Sequence, residues 1–381
     1  MITRIDHEKC TGCGICVDVC PLDTLRLDPF QKEIPPCQEA CPAGVDIRGY
    51  ISLLKLGMRD KAIRLLRQYL PFPAITGRIC YHPCESKCAR KKNVDEAVNI
   101  RGVERYLADF WLHERAEPMP LMHAAKVAVI GSGPAGISAA YFLKGMGYGV
   151  TVFETGPEIG GMLRDVVREK RLPRNVLTAQ LRYIKDMGVE FKTDCTFGRD
   201  LTVDNLKDNR YKAVFLAMGF QPSHGPLPSD GIVTNEGKTI IVDPVTLETS
   251  VAGVFAGGGL LKGRAPVVKV IGSAKTVATS IDRYLKGEDL KDGREKEVKE
   301  VKTLPKQGMR QMSRQEMSRE TTFSEEVAMK EIHRCMSCGS KAYIAHPEDC
   351  MTCFECEIEC PSGAIDVHPF KEQLPLSLPI S

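Results

Sequence analysis

Cys10, Cys13, Cys16 and Cys20, followed by Pro21, read C-x2-C-x2-C-x3-C-P, and Cys350, Cys353, Cys356 and Cys360 with Pro361 repeat that run near the other end. The spacing has a chemical reason. Three thiolates two residues apart wrap one iron–sulfur cubane, while the Cys-Pro thiolate points away toward a second cluster. Cys37, Cys41, Cys80, Cys84, Cys88, Cys335 and Cys338 form further groups, so only Cys195 of the 16 cysteines lies outside a pattern. It reads as a plain packed residue. Many cysteines with no secretory signal suggest metal ligation in a reducing cytoplasm rather than disulfides. His7, His82 and His346 sit near these runs as bystanders, because the cysteines already fill the clusters.

A second chemistry is written in Val127-Ala-Val-Ile-Gly-Ser-Gly-Pro-Ala-Gly136, a strand followed by G-x-G-x-x-G and an apolar helix from Ile137. Gly131 allows the tight turn, Gly133 admits a pyrophosphate, and Gly136 lets helix and strand pack closely. The pyrophosphate then sits at the helix N-terminus, where free N–H groups and the helix dipole favour anions. Gly149–Phe153 is the next strand, and Glu154 after it stands where an acid accepts ribose hydroxyls, about 20 residues beyond the motif. The fingerprint alone leaves FAD and NAD open, since both use it.

These groups need elements to position them. The chain reads as a multidomain α/β protein with a Rossmann-like dinucleotide domain. Residues 1–33 and 325–381 hold the two cysteine runs, each with short flanking strands (Thr3–Asp6 and Thr24–Leu27; Ile344 and Ile365–Val367). Residues 34–122 are helical: Ile47, Ile51 and Leu54, then Ala62, Ile63, Leu65, Leu66 and Tyr69, recur at helical spacing, with Gly57 as a break. Val98–Leu112 is another amphipathic helix. Residues 123–290 form the dinucleotide domain, with strands at Lys126–Ile130, Ala213–Gly219 and Gly253–Gly259 and a small-residue helix over Val267–Ala278. Residues 291–324 are polar and read as a solvated linker or exposed helix, and Glu325–Met336 as a helix.

The terminal segments each resemble half of a ferredoxin. Residues 35–285 resemble the flavoprotein reductases of the glutamate synthase small-subunit type, on Gly160-Gly161, Ala213-Val-Phe-Leu-Ala-Met-Gly219, Gly253-Val-Phe-Ala-Gly-Gly-Gly259, Cys37-x3-Cys41-Pro42 and Cys80-x3-Cys84-x3-Cys88. The resemblance implies an FAD site built from Gly131, Gly133, Pro134, Ala135, Gly136, Glu154, Gly160, Gly161, Met162, Arg171, Ala217, Gly219, Gly258 and Gly259. It also implies one cubane on Cys41, Cys80 and Cys84 with Glu104 as fourth ligand, and a second on Cys37 and Cys88 plus a C-x2-C pair. That pair is missing upstream. Arg334-Cys335-Met-Ser-Cys338-Gly339 looks like it, either folding back to complete the cluster, belonging to the adjacent ferredoxin segment, or binding nothing. Two departures matter. Gly259 stands where the family has an aspartate for FAD, and only about 30 residues separate Gly219 from Val251, where the family inserts an NADPH domain. A nucleotide fold needs two βαβ units of ~30 residues each.

The two cysteine runs either hold a cubane each or join into one two-cluster unit. The joined form puts Cys360 with Cys10, Cys13 and Cys16, and Cys20 with Cys350, Cys353 and Cys356. A linker of about 30 residues, with a span of roughly 30 Å, allows it. With 381 residues there is length for roughly two to four domains. A net charge of +3, mixed in sign, argues against nucleic acid, and no stretch approaches the ~20 apolar residues of a membrane span. Nothing resembles a Ser-His-Asp triad or a paired-carboxylate site. The expected protein is a cytoplasmic, anaerobic electron-transfer subunit with FAD and up to four [4Fe–4S] clusters. Its partners would be a catalytic oxidoreductase subunit and ferredoxin or a nicotinamide-binding subunit. The alternatives are a self-sufficient NAD(P)H-dependent reductase and an iron–sulfur scaffold with a vestigial flavin site.

Overall fold

The apolar run Val127–Ile130 is buried on both faces, as a central parallel strand requires. In the computed structural model β3 (Lys126–Ile130) is flanked in parallel by β4 (Gly149–Phe153) and β6 (Tyr211–Leu216). β5 (Glu190–Lys192) and β7 (Val254–Ala256) complete a five-stranded sheet of order β5-β4-β3-β6-β7. The structure describes residues 1–7, 9–10, 15–22, 24–27, 34–55, 57–219, 231–234, 239–263, 265–294, 311–318, 321–336, 338, 342–360 and 363–368. Cys13 and Pro361 lie outside them.

Helix Pro134–Gly145 packs on helix Val267–Lys286 against this sheet. The latter runs past Ala278, the end expected from sequence, and stops where Gly287 takes the left-handed conformation (φ 72°). β6 ends at Leu216, earlier than expected, which leaves Ala217–Gly219 as a loop at the carboxyl edge of the sheet, where ligands bind in such folds.

The helical region packs directly on the sheet domain and shares one core with it, including Tyr50, Phe72, Val103, Ile137, Phe255 and Ile271. Approach is close enough to demand glycine at Gly272, where a Cβ would fall 2.1 Å from the Pro42 carbonyl oxygen. Helix Ile100–Phe110 begins after Asn99, whose side chain accepts from the Gly102 N–H at 2.9 Å. Capping thus moves the start two residues beyond Val98.

The stretch expected as a solvated linker is different where it is described. Met312 N–H donates to Asp95 Oδ2 at 2.9 Å, Arg314 pairs with Glu85 at 2.8 Å, and Phe323 is buried against Gly102. Residues 311–318 and 321–324 therefore form a strap over the helical region, while the expectation for residues 295–310 falls outside the described residues. From Ser324, whose side chain accepts from Val327 N–H, helix Glu325–His333 follows.

The two chain ends meet. β1 (Ile2–Ile5) pairs antiparallel with β9 (Ile365–Val367), and β2 (Leu25–Leu27) with β8 (Ala342–Ile344). Ile2, Leu25, Ala342, Ala364, Ile365 and Val367 close a small core with Cys10, Cys16, Cys350 and Cys356.

Candidate functional site

At the carboxyl edge of β3 the chain turns at Gly131, whose φ of 100° and proximity to the Ala217 carbonyl exclude a side chain. A Cβ on Gly136 would lie 1.8 Å from the Gly131 carbonyl oxygen, so close packing requires that glycine too. Gly133 instead faces open space. That space is a cleft of about 840 Å³, within the usual size for a cofactor site. Gly131, Gly133, Pro134, Ala135, Glu154, Gly161, Met162, Arg171, Ala217, Gly219 and Gly259 line it. Helix Pro134–Gly145 opens there without a side-chain cap, leaving its first N–H groups for an anion.

Gly136, Gly160 and Gly258 act from behind the lining. The Gly160 N–H donates to Ser132 Oγ at 3.0 Å, and Gly258, at φ 69°, packs on Ala135. Glu154 is partly engaged: Oε2 accepts from the Ser132 N–H (2.8 Å) and hydroxyl, and Oε1 from the Gly156 N–H (3.0 Å). The acid holds two cleft loops in place as well as facing the cavity. Ser132, the hub of these contacts, was visible only as the variable position of the glycine motif. Ile79, from the helical region, also lines the cleft, and Arg171 Nη2 donates to its carbonyl at 3.0 Å. Nothing local in the sequence signals that contact between domains.

One residue beyond Ile79 begins the first cysteine group. Cys41, Cys80, Cys84 and Glu104 come together close enough to perturb one another's ionisation. Burial first, then the Glu104 charge, pushes the Cys80 thiol up to about 12, and the Cys84 thiol also stands well above its usual range. Desolvation lifts the Glu104 carboxyl to about 7, against a hydrogen bond from Thr76 Oγ1. The His82 N–H donates to Cys80 Sγ at 3.4 Å.

Cys37, Cys88, Cys335 and Cys338 line a second small cavity with Arg48 and Arg90. Burial, then the charges of Cys335, Cys88 and Cys338, raises the Cys37 thiol well above its ordinary value. The C-terminal arm is fixed there by Arg334, which has no solvent exposure. Its five N–H donors reach the carbonyls of Met312, Ala97 and Glu96 and the carboxylates of Glu331 (2.7 Å) and Asp95 (2.9 Å). Arg90 clamps Asp95 with two bonds of 2.6 and 2.7 Å and donates to the Arg334 carbonyl.

In the terminal lobe Cys20 lines one small cavity with Cys350, Cys353 and Cys356, beside Thr24, Met351 and Phe354. Burial, then the charges of Cys353, Cys350 and Cys20, pushes the Cys356 thiol up to about 11. Cys10 and Cys16 are buried in the lobe's core, and Cys360 packs against it. Backbone N–H groups donate to Cys10 Sγ (from Ala342, 3.3 Å), Cys350 Sγ (from Ile2, 3.3 Å) and Cys360 Sγ (from Ala364, 3.2 Å). Cys195 stands apart, packed on the sheet domain's smaller core.

The cysteine groups suit clusters better than single ions. Among the described residues no three of their sulfurs lie within 4.8 Å of one another, whereas one tetrahedral zinc would hold four thiolates at about 3.8 Å. Buried thiols that raise one another's pKa need positive charge among them before they ionise, and cluster iron supplies it.

Residues 30–116 match the family described as dihydropyrimidine dehydrogenase domain II, 4Fe–4S cluster; residues 96–279 match pyridine nucleotide-disulphide oxidoreductase; and residues 3–26 match the 4Fe–4S binding domain. The chain is 40% identical over 195 residues to NADPH-Fe(3+) oxidoreductase subunit beta of Geobacter sulfurreducens, covering 50% of this chain and 29% of that one. It is 38% identical over 227 residues to NADP(+)-dependent formate dehydrogenase subunit beta of Moorella thermoacetica (53% and 32%). It is 33% identical over 198 residues to NAD-dependent dihydropyrimidine dehydrogenase subunit PreT of Salmonella typhimurium (50% and 46%). The matched segment thus spans less than half of each relative's length. Cluster-binding and flavin-type oxidoreductase matches occur together in one chain, which supports its resemblance to the FAD- and iron–sulfur-containing oxidoreductases of the glutamate synthase small-subunit type.

Proposed function

We propose that this chain is the electron-transfer subunit of a multi-subunit oxidoreductase, relaying electrons between redox partners and a catalytic subunit through one FAD and four [4Fe–4S] clusters. When bound, FAD handles electrons in pairs and each cubane takes one. Helix Pro134–Gly145 and Gly133 would hold the FAD pyrophosphate, with Glu154 facing the ribose. The ligand sets are Cys41, Cys80, Cys84 and Glu104; Cys37, Cys88, Cys335 and Cys338; Cys10, Cys13, Cys16 and Cys360; and Cys20, Cys350, Cys353 and Cys356.

Contiguity carries this reading. Ile79 lines the cleft and Cys80, the next residue, opens the first quartet. Cys37 lies in the short helical turn Pro36–Glu39, Cys41 lies two residues after it, and the two belong to different quartets. Cys338 lies four residues before Ala342, whose N–H donates to Cys10 Sγ. Flavin cleft, two helical-region quartets and terminal lobe therefore follow one another as neighbours. The outer end of this series is accessible: Cys353 is exposed, as are Met351 and Ile358.

The interval between Gly219 and Val251 is too short for a nicotinamide domain, so electrons would enter and leave through proteins. Thiol ligation on this scale suits the cytoplasm of an anaerobe, and among the described residues no helix is long and apolar enough to cross a membrane. The test is reduction of the purified holoprotein. Reduced ferredoxin should bleach the flavin and the iron–sulfur absorption, and NADPH alone should not. Rapid bleaching by NADPH would make the chain a self-sufficient reductase, and absence of flavin would make it a scaffold.

A further inference from the structure

Tyr50 lies on the buried face of helix Ile47–Lys55 with Ile47, Ile51 and Leu54, and it has no solvent exposure. Its hydroxyl is buried and has no hydrogen-bond partner among the described residues. Buried hydroxyls are nearly always paired, so an unpaired one calls for an acceptor that the described residues do not supply. The ionisable groups acting on it are, from strongest to weakest, Glu104, Cys84, Cys37 and Cys335. The phenol therefore sits among members of both helical-region quartets: Ile47 and Ile51 beside it line the cavity of the second, while the strongest charges acting on it, Glu104 and Cys84, belong to the first. None of those four is within hydrogen-bonding reach of it. Burial and acidic neighbours keep the phenol protonated, so it acts as a donor.

We propose that the Tyr50 hydroxyl donates a hydrogen bond to a sulfur of the cubane held by Cys41, Cys80, Cys84 and Glu104, and so raises that cluster's reduction potential. Reduction adds negative charge to a cluster, and a donor aimed at its sulfur stabilises the reduced form more than the oxidised one. Tyr50 would thus tune the station beside the flavin cleft without ligating iron. The inference rests on the assignment of that quartet as a cubane site.

The experiment is a redox titration of the full holoprotein followed by electron paramagnetic resonance, with iron counted in each sample. Glu104→Cys identifies the signal of the first quartet. In Tyr50→Phe that signal should move to lower potential, with iron unchanged at about sixteen atoms per chain and the other three potentials unmoved. Site-specific 3-fluorotyrosine at position 50, a more acidic phenol of nearly the same shape, should move it to higher potential. Opposite shifts are not what a packing role would produce. An unmoved first-quartet potential in both variants overturns the inference, as does a shift confined to another cluster. If Tyr50→Phe sheds iron, the fluorinated protein decides alone: a rise supports the hydrogen bond and no change refutes it. Wild-type protein lacking one cluster's iron and the Glu104-dependent signal would instead refute the ligand assignment beneath.

Discussion

The C-terminal arm is used twice, and the two regions that receive it hold it by different means. In the helical region Cys335 and Cys338 arrive on a segment locked by buried Arg334, Glu331 and Arg90 and partly buried Asp95, beside a large apolar core. In the terminal lobe the arm is held by two strand pairs of three or four residues and a core of ten buried residues, four of them cysteines. Two-stranded sheets of that length are marginal in water. On the proposed ligand sets the helical region should be shaped before a cluster arrives, whereas the lobe should depend on its clusters for much of its stability, as small metal-bound domains do.

Removing iron tests this difference most severely. In the chelated protein the amides of β1, β2, β8 and β9 should exchange at rates approaching those of an unfolded chain, while helix Ile100–Phe110 and β3 stay protected. Hydrogen exchange read by mass spectrometry separates the regions. Persistent protection of β1 and β9 without iron would show that the lobe folds alone.

Breaking the lock comes next. Arg334→Met removes the partner of Glu331, which has no solvent exposure, and leaves that carboxylate without its counter-charge. Removal of one member of a buried pair costs about 3–5 kcal/mol. The expected result is a loss of that size in denaturant unfolding together with about four iron atoms, from the cluster of Cys37, Cys88, Cys335 and Cys338. The double change Cys335→Ser and Cys338→Ser should lose the same iron with less loss of stability, because the lock remains. Equal stability losses would mean that the cluster, and not Arg334, holds the arm.

How much was readable in advance depended on how local each cause was. The glycine fingerprint and the cysteine runs carry their chemistry in fixed spacing over a few residues, and the joining of the ends, now seen in the strand pairs, was one of two readings that the cysteine runs allowed. The strap over residues 311–318 and 321–324 was not readable. Its composition is polar, yet Arg314 finds Glu85 and the Ala97 carbonyl, and Phe323 supplies one apolar anchor. Arg334 was recognisable only as part of a cysteine motif. Four of its five bonds go to Asp95 and to the carbonyls of Met312, Ala97 and Glu96, all distant in sequence, and only the Glu331 pair has a local spacing. The placement of Ile79 in the flavin cleft likewise depends on how two domains dock.

A finer division lies within the lobe. Cys20→Ser should change the spectrum of the cluster on Cys350, Cys353 and Cys356 and leave the cluster on Cys10, Cys13 and Cys16 intact. Cys360→Ser should do the reverse. Cys353→Ser, which touches only the former cluster, supplies the reference spectrum. If Cys20→Ser instead disturbs the cluster of its own run, each terminus holds its own cubane and the strands alone join the ends.

The smallest effect is expected where the arm meets the helical region at the surface. Arg59 pairs with Glu325, at 28% and 64% side-chain exposure, at the very start of helix Glu325–His333. By position it fastens the same arm that Arg334 fastens, but water screens it, and ordering two long side chains costs entropy. Exposed pairs of this kind contribute about 0.2–1 kcal/mol. Glu325 also sits in the first helical turn, where its charge faces the positive end of the helix dipole whether or not Arg59 is present. Arg59→Gln should therefore lower stability by less than about 1 kcal/mol and release no iron. A double-mutant cycle with Glu325→Gln isolates the pair from the dipole contribution. If Arg59→Gln costs as much as Arg334→Met, or sheds the Cys335–Cys338 cluster, the arm is held from its surface and the buried lock is not what distinguishes the helical region from the lobe.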